Sequence, residues 1–342
     1  MTPDVQPLYL GVDAGNSKTV AVLADGSGSV LGYGRCGCGD IYGAASEALA
    51  VGEVVAAVER ALEMATQSVE GGSPVTPSAI TRAAFCLAGV DWPADELYWR
   101  DQLARRLPGL ASCSLRNDGF ALLRAGQPDG LGVALSAGTG GAIVARGPAG
   151  VEWSGSMWLA DPLGGWALGE HAYTAVLRAE LGIAPPTVLR EMLLSRYGYS
   201  DVAALLAGTT GRGMEWVRYP TLARDVLDAA TAGDLVAADI VHQQAILFAR
   251  YAVAAARKVD LAEPEIPIVL GGSVLSSESP ALRDATLTAL AQVLPAARAT
   301  LTPRSPVVGA VVEAIAEGCG ALDSDVVDRL TGYAFPAEFL LT

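Results

Sequence analysis

The sequence predicts an α/β protein built from two similar halves. Its 342 residues correspond to about two domains of roughly 150 residues each. The first half alternates strand-like and helix-like segments in the order β-β-β-α-β-α-β. A strand, a glycine turn and a second strand surround Ala14-Gly15, and the same arrangement recurs 123 residues later at Ala137-Gly138. An internal duplication explains this repeat and predicts two lobes that face each other.

The composition excludes several classes of protein. Hydrophobic residues make up 51%, charged residues 18%, and the mean hydropathy is +0.35, which excludes a disordered chain. No uncharged apolar run reaches the ~18 residues of a membrane span. A net charge of −14 argues against nucleic acid or an anionic membrane as a partner. The start, MTPDVQP, has no basic leader or apolar signal region, so we expect a cytoplasmic protein.

The elements of the first half follow from short apolar runs and one long amphipathic stretch. Apolar residues recur at helical spacing between Ala44 and Ser68, and glycine or aspartate turns close the shorter apolar runs. The predicted strands are 8–13, 19–24, 30–33, 83–87 and 112–116, and the predicted helices are 44–68 and 94–107.

The second half repeats the opening strands and then becomes mostly helical. Proline at the start of the closing helix is typical of a first helical turn. The predicted strands are 132–136, 142–145, 151–153, 266–270 and 298–301, and the predicted helices are 170–182, 186–195, 222–232, 234–259 and 306–321. We expect an N-terminal lobe over 1–118 and a C-terminal lobe with helical insertions over 119–305, with the closing helix (about 306–322) packing back on the first lobe.

Three glycine turns each follow an apolar strand, at 13–19, 136–141 and 271–274. Glycine lets backbone N–H groups approach an anion closely, which suits an acidic protein that binds a polyphosphate. None of the turns fits GxxxxGK[ST] or GxGxxG. The three together, two of them related by the duplication, favour a nucleotide-binding cleft between the halves.

Two aspartates at strand ends are candidates for chemistry. Asp13 could hold Mg²⁺, usually through waters, or could form a turn with its own backbone. Asp118 could accept a proton from a substrate hydroxyl, or could cap the helix that follows. The residues alone leave both alternatives open.

The motifs, in order, resemble a known family. DAGNSKT, CLAGVD, RNDG, LSAGTGG, GGW…GE, LGGSV and PRSPVVGAVVEA are similar to the N-acetylglucosamine kinase group of the BadF/BadG/BcrA/BcrD ATPase family, in the sugar-kinase/actin-like ATPase superfamily. The resemblance spans about residues 8–322. It implies a two-lobed actin-like ATPase (ribonuclease H-like) fold with a central cleft. It also implies ATP-dependent phosphorylation of a sugar hydroxyl, with N-acetylglucosamine or glucosamine as the type of substrate.

The resemblance assigns roles to the nucleotide side of the site. Asp13 would be the acid associated with Mg²⁺, and Asp118 the general base on the sugar hydroxyl. The residues that would contact ATP are Gly15, Asn16, Ser17, Lys18 and Thr19 in the first phosphate loop, Gly138, Thr139 and Gly140 in the second, and Gly271, Gly272 and Ser273 beside the adenosine.

The sugar side departs from the family pattern. The resemblance implies that the sugar contacts Asp40, Ala88, Gly89, Asn117, Asp118 and Glu170. Aspartate stands at position 40 where the family usually has asparagine, and the GDEGS segment is replaced by Gly169-Glu170-His171-Ala172-Tyr173. We therefore expect a sugar that bears a free amine, such as glucosamine.

Two alternative functions and the state of assembly complete the expectations from the sequence. The other branch of the family contains ATPases that activate dehydratases or reductases through an iron–sulfur cluster held by cysteines. Cys36 and Cys38 lie two apart on an extended segment and would point to opposite faces. A non-catalytic sugar-sensing relative is the second alternative, and the presence of Asp118 argues against it. We expect the protein to be a homodimer.

Overall fold

The computed structural model describes residues 6–68, 74–212, 216–261, 265–320 and 322–340. The expectation about a leader rests mostly on residues 1–5, which lie outside the described residues. Ten strands form two five-stranded sheets. The strands are β1 (Leu8–Ala14), β2 (Thr19–Asp25), β3 (Val30–Cys36), β4 (Ile80–Leu87), β5 (Cys113–Arg116), β6 (Gly132–Ala137), β7 (Gly141–Arg146), β8 (Glu152–Ser154), β9 (Pro267–Gly271) and β10 (Arg298–Leu301).

The two sheets have the same topology. The first has the order β3-β2-β1-β4-β5 and the second the order β8-β7-β6-β9-β10. Each strand of the first sheet therefore has a counterpart five strands later in the chain. The predicted fold class of duplicated α/β halves is confirmed, because unrelated strands would not produce this shared order.

The described part of the chain also forms twelve α-helices. They are α1 (Glu47–Ser68), α2 (Pro93–Arg106), α3 (Gly119–Gly126), α4 (Gly165–Glu180), α5 (Leu189–Tyr197), α6 (Val202–Thr210), α7 (Ala223–Thr231), α8 (Leu235–Lys258), α9 (Ala281–Val293), α10 (Pro306–Cys319), α11 (Ser324–Gly332) and α12 (Ala337–Leu340). Sequence reasoning did not predict α3, α6, α9, α11 and α12, and placed the start of α4 five residues too late. None of these helices is long and apolar enough to cross a membrane.

The chain divides into two compact units. Unit 1 comprises Met1–Ala134, Val144–Ser154 and Thr302–Thr342, and unit 2 comprises Leu135–Ile143 and Gly155–Leu301. Unit 1 thus continues past residue 118, where we expected the first lobe to end. The reason is that α10 packs against β1, β4 and α3, which draws α3 into the same core.

Both faces of the first sheet are covered. On β1, Leu10 and Val12 belong to the core shared with α1, whereas Tyr9 belongs to the core shared with α10. This alternation is the two-residue period of a strand. Gly11 allows α10 to approach closely, because a Cβ there would lie 2.2 Å from the backbone nitrogen of Val311. The sheet is therefore a rigid support for the loops at its edge.

A buried group of ion pairs lies beneath α10 in unit 1. Glu313 is 1% exposed and accepts hydrogen bonds from Arg124 and from Arg146, the latter at 2.7 Å. Arg116 pairs with Glu317 at 2.6 Å. Burial by itself would raise the pKa of Glu313, but Arg146 and Arg124 outweigh it and hold the pKa at about 2.

Candidate active site

Three neighbouring strands of the first sheet carry predicted site residues at their ends. β1, β4 and β5 are mutually parallel, so their carboxyl ends meet at one edge of the sheet, where sites form in α/β proteins. Asp13 lies at the end of β1, Ala88 and Gly89 directly follow β4, and Asp118 follows β5. The Ala88 amide donates to the carbonyl of Ala14 at 2.7 Å. The fold thus brings these residues to a single edge.

Asp40 joins this edge through the chain after β3. The Gly39 amide donates to the carbonyl of Gly15 at 3.1 Å. Gly89 has a φ of +80°, and a Cβ at that position would lie 2.8 Å from Asp40 Oδ1. Glycine at position 89 therefore allows both the left-handed turn and the close approach of Asp40.

Asp118 has the electrostatic environment of a base that works near neutral pH. Burial is the largest cause that raises its pKa, followed by the negative charges of Asp13, Asp91 and Asp40, while the nearby Gly119 amide lowers it. The resulting pKa is about 7. A pKa close to the working pH is what general-base catalysis favours. Perturbed carboxylates of this kind concentrate at functional sites.

The Asp118 side chain does not cap the helix that follows it. Asp118 occupies the position before α3, but its side chain makes no capping hydrogen bond. The Gly119 amide donates instead to Asn117 Oδ1 at 3.0 Å. The structure therefore argues against the cap interpretation, because the two amides that a capping side chain at position 118 would accept from, those of Phe120 and Ala121, donate to the backbone carbonyls of Asn117 and Asp118.

Asp13 is half-buried beside the first glycine turn. Burial raises its pKa to about 6, and the positive charge of Lys18 lowers it. A cation near Asp13 would stabilise its charged form. Among the described residues, no group of three or more His, Cys, Asp or Glu side chains is placed to hold a metal. Magnesium usually takes only one or two protein carboxylates and keeps several waters, so a single aspartate is compatible with it.

The first predicted phosphate loop joins β1 to β2. The Gly15 amide donates to the carbonyl of Lys18 at 2.9 Å and closes the turn. Asn16 and Ser17 are exposed, whereas Thr19 is fully buried and its hydroxyl donates to the carbonyl of Gly37 at 2.9 Å. The Lys18 ammonium donates to the carbonyl of Leu340 at the end of α12. The exposed part of this loop is therefore centred on Gly15, Asn16 and Ser17.

Unit 2 brings the other two glycine turns together. Gly138, Thr139 and Gly140 connect β6 to β7, Gly271 is the last residue of β9, and Gly272 and Ser273 follow it. The Val274 amide donates to the carbonyl of Ala137 at 2.8 Å. Gly272 has a φ of +88°, and a Cβ there would lie 2.4 Å from the same carbonyl oxygen. Glycine is thus required where the two turns touch.

Sequence reasoning did not assign a role to the residues that support the second loop. The Gly165 amide donates to the carbonyl of Gly138 at 2.9 Å, and the Trp166 amide donates to the carbonyl of Thr139 at 2.8 Å. Gly164 precedes them with a φ of +77°. The sequence feature that could have indicated this support is the Gly164-Gly165 pair directly before Trp166. These amides fix the loop at the start of α4.

Glu170 lies in the second turn of α4, in unit 2. Burial, then the charges of Tyr173 and Glu170, raise the pKa of Tyr219. The Trp166 ring is 47% exposed and meets the Tyr219 ring edge-on at 5.3 Å. Glu170 thus lies close to Tyr219 in unit 2, whereas Asp40, Gly89 and Asp118 lie together in unit 1. Its contact with the sugar stays a prediction.

The cysteines are all free of disulfides. Cys86 is buried, Cys319 is exposed, and the others are half-buried. Cys38 Sγ lies 3.6 Å from Asn16 Oδ1. Burial raises the pKa of Cys36 and of Cys38, which keeps both in the thiol form at neutral pH.

Two sheets with one shared strand order, each with a glycine turn after its first strand, define an α/β protein with a duplicated fold. Comparison with protein families identifies it more closely. The BadF/BadG/BcrA/BcrD ATPase family matches residues 10–314. The chain belongs to this family, as the motifs indicated.

Individual relatives agree with this membership. The chain is 24% identical over 234 residues to N-acetyl-D-glucosamine kinase of Dictyostelium discoideum, covering 66% of this chain and 72% of that protein. A Chromobacterium violaceum protein described provisionally as an N-acetylglucosamine kinase has a TM-score of 0.67 and 24% identity, over 91% of this chain and 99% of that one. A Porphyromonas gingivalis protein described in the same provisional way has a TM-score of 0.63 and 17% identity, over 92% and 100%. These two structures show a shared fold.

Proposed function

We propose that this protein is an ATP-dependent kinase that phosphorylates a hydroxyl group of an amino sugar. The observation that carries the proposal is Asp118, a carboxylate with a pKa of about 7 at the sheet edge where Asp13, Asp40 and Gly89 gather. Family membership and the Dictyostelium relative support the same reaction. A sensor without turnover would have no need for a carboxylate whose pKa is raised in this way.

In the proposed reaction Asp118 accepts the proton of the sugar hydroxyl. The hydroxyl oxygen then forms a bond to the γ-phosphorus of ATP, while the bond from that phosphorus to the bridging oxygen breaks and ADP leaves. Backbone amides of the glycine turns, together with Asn16 and Ser17, would bind the phosphates. Asp13 would hold Mg²⁺, which neutralises phosphate charge when it is bound. The proposal requires both units to act on the same ATP and sugar.

We further propose that the sugar carries a free, positively charged amine. Asp40 and Asp91 both add negative charge near Asp118, and Asp40 is only 8% exposed. A cationic amine is attracted to such a site, whereas a neutral acetamide is not. The aspartate at position 40, in place of the family's usual asparagine, is the departure that favours the amine.

A panel of hexoses and amino sugars in a coupled ADP-release assay tests both proposals. We expect glucosamine to have a kcat/KM at least about tenfold above that of N-acetylglucosamine, because a charge-assisted contact contributes about 1.5–3 kcal/mol. Asp40→Asn should reduce this preference to within about threefold. No ADP release with any sugar would contradict the kinase, whereas a preference for N-acetylglucosamine over every amine would contradict only the choice of substrate.

Gly138→Ala is expected to weaken ATP binding and leave the fold unchanged. A Cβ at position 138 has only Ser273 Oγ near it, at 4.0 Å, so the protein itself accepts the methyl group. The Gly138 amide itself closes the turn by donating to the carbonyl of Gly140 at 2.9 Å, but a phosphate approaching the loop would meet the added methyl group. We expect the Kd for ATP, measured by calorimetry, to rise about 10–100-fold, the effect of losing one or two charge-assisted bonds. Gly52→Ala on α1, where a Cβ also meets nothing within 4 Å, is the matched control.

Equal ATP affinity in wild type and Gly138→Ala would remove this loop from the nucleotide site. The assembly as a homodimer and the location in the cytoplasm stay predictions. Light scattering on the purified protein would check the assembly.

A further inference from the structure

A series of hydrogen bonds within unit 1 connects the loop that carries Asp40 to the turn that carries Asp118. The series begins at Tyr42, whose amide donates to Asp40 Oδ1 at 2.9 Å. The Tyr42 hydroxyl donates to Asp95 Oδ1 at 2.8 Å. Tyr42 is 55% exposed, so burial does not explain the position of its hydroxyl. The bond to Asp95 fixes it.

Asp95 extends the series of hydrogen bonds to the loop before α2. Its second oxygen, Oδ2, accepts hydrogen bonds from the amide of Asp91 at 3.0 Å and from the amide of Trp92 at 2.8 Å. Asp95 is 7% exposed. Its carboxylate thus stabilises the first turn of α2 and also sets the backbone position of Asp91.

The Asp91 side chain, in the loop before α2, contacts the turn that carries Asp118. Its Oδ1 accepts a hydrogen bond from Asn117 Nδ2 at 2.9 Å. Asn117 is 3% exposed, and its Oδ1 accepts the Gly119 amide at 3.0 Å. Both ends of the Asn117 amide group are therefore engaged. They hold the backbone on either side of Asp118.

We propose that Asp91 is a positioning residue for the base: through Asn117 it holds the Asp118 carboxylate in the orientation that receives the hydroxyl proton. Through Asp95 and Tyr42 the same hydrogen bonds fix Asp40 relative to that carboxylate. Misplacement by about 1 Å can lower a rate about 10²-fold, so the orientation matters even though Asp91 itself does not touch the reacting atoms. The inference rests on the proposed kinase reaction.

The test distinguishes the effect of the Asp91 acceptor oxygen from the effect of the Asp91 negative charge. Asp91→Asn keeps an acceptor oxygen for Asn117, whereas Asp91→Ala removes it. We expect Asp91→Ala to lower kcat about 10–100-fold and to leave the KM for ATP within about twofold. Asp91→Asn should keep kcat within about threefold of wild type, while the loss of its negative charge near Asp118 should raise the KM for a cationic sugar. The control is Asp101→Ala, because Asp101 lies on α2 and contacts Arg105 and Gln102 at the surface; it should leave both constants unchanged.

One further measurement and two further variants also test the inference, so that it stays testable if Asp91→Ala does not fold. Hydrogen exchange should become faster at the Gly119 amide in Asp91→Ala but not in Asp91→Asn. Tyr42→Phe removes only the exposed hydroxyl link, and we expect it to raise the KM for the sugar about 3–10-fold with kcat within about twofold. Asn117→Ser removes both amide bonds and should lower kcat in the same range as Asp91→Ala.

Several results would overturn the inference. A folded Asp91→Ala or Asn117→Ser protein with kcat within twofold of wild type would show that the bond to Asn117 does not position the base. Equal losses in Asp91→Asn and Asp91→Ala would show that the charge matters and the acceptor does not. A wild-type protein without sugar-dependent ADP release would contradict the proposed function itself, and an active wild type separates the two failures.

Discussion

Replacing Asp118 by asparagine is expected to lower kcat for sugar phosphorylation by about 10²–10⁴, the usual contribution of a general base. Asparagine has the same shape but cannot accept the hydroxyl proton. The Kd for ATP should stay within about twofold, because Asp118 is not part of the phosphate loops. A coupled ADP-release assay together with calorimetry measures both quantities. Full activity in this variant would refute the assignment of the base.

The same variant should be more stable than wild type at pH 8. The folded pKa of Asp118, about 7, lies above the ordinary value near 3.8, so the wild type loses stability as the pH rises from about 4 to 7. Asparagine does not titrate. We expect the variant to gain about 1–2 kcal/mol in the free energy of unfolding at pH 8, reduced from the full shift because Asp118 is partly solvated.

Denaturation at two pH values checks this stability effect. The gain should shrink as the pH falls and disappear below about pH 3, where Asp118 is protonated in both the folded and the unfolded chain. A loss of stability at pH 8 would mean that the Asp118 charge is favourably paired. That result would contradict the electrostatic environment described above.

Replacing Glu313 by alanine is expected to lower the free energy of unfolding by about 3–5 kcal/mol. The change removes the carboxylate partner of the buried Arg124 guanidinium and leaves Arg146 with Glu152 as its remaining partner, and a buried charge that loses its partner is strongly unfavourable. Urea denaturation at pH 7 measures the effect. Glu191→Ala is the matched control, since Glu191 pairs with Arg190 at the surface and such pairs contribute about 0–1 kcal/mol.

The Glu313 effect has a pH dependence of its own. The folded pKa is about 2, below the ordinary value of a glutamate, so the stabilisation is present above about pH 4.5 and is lost as the pH falls towards 2. The difference in the free energy of unfolding between wild type and Glu313→Ala should therefore become smaller as the pH falls from about 4.5 towards 2. A difference that does not change with pH would indicate that the lost packing, rather than the lost charge, destabilises the variant.

Local pattern was sufficient to predict most of the regular elements. The apolar alternation of β1 and the helical spacing in α1 are properties of contiguous residues, so the sequence carries them directly. The repeated Ala-Gly turn predicted the duplication that the two sheets share. α6 was missed because it is only nine residues long. α9 has buried residues at helical spacing (Leu282, Thr286, Ala289 and Leu290), a signal that sequence reasoning overlooked. The start of α4 was misplaced because glycines 164 and 165 look like helix breakers, whereas the Gly165 amide bonds to Gly138.

The sequence by itself determined which residues could carry chemistry: the aspartates after apolar strands and the glycines of the three turns. The meeting of Asp13, Asp40 and Asp118 at one edge of the first sheet, and the pKa of Asp118 near 7, were decided by the tertiary structure. The physical reason is that a carboxylate's proton affinity depends on burial and on charges distant in the sequence, here Asp13, Asp40 and Asp91. The same holds for Glu313, an ordinary glutamate in the printed sequence, whose role follows only from the arginines that the fold places around it.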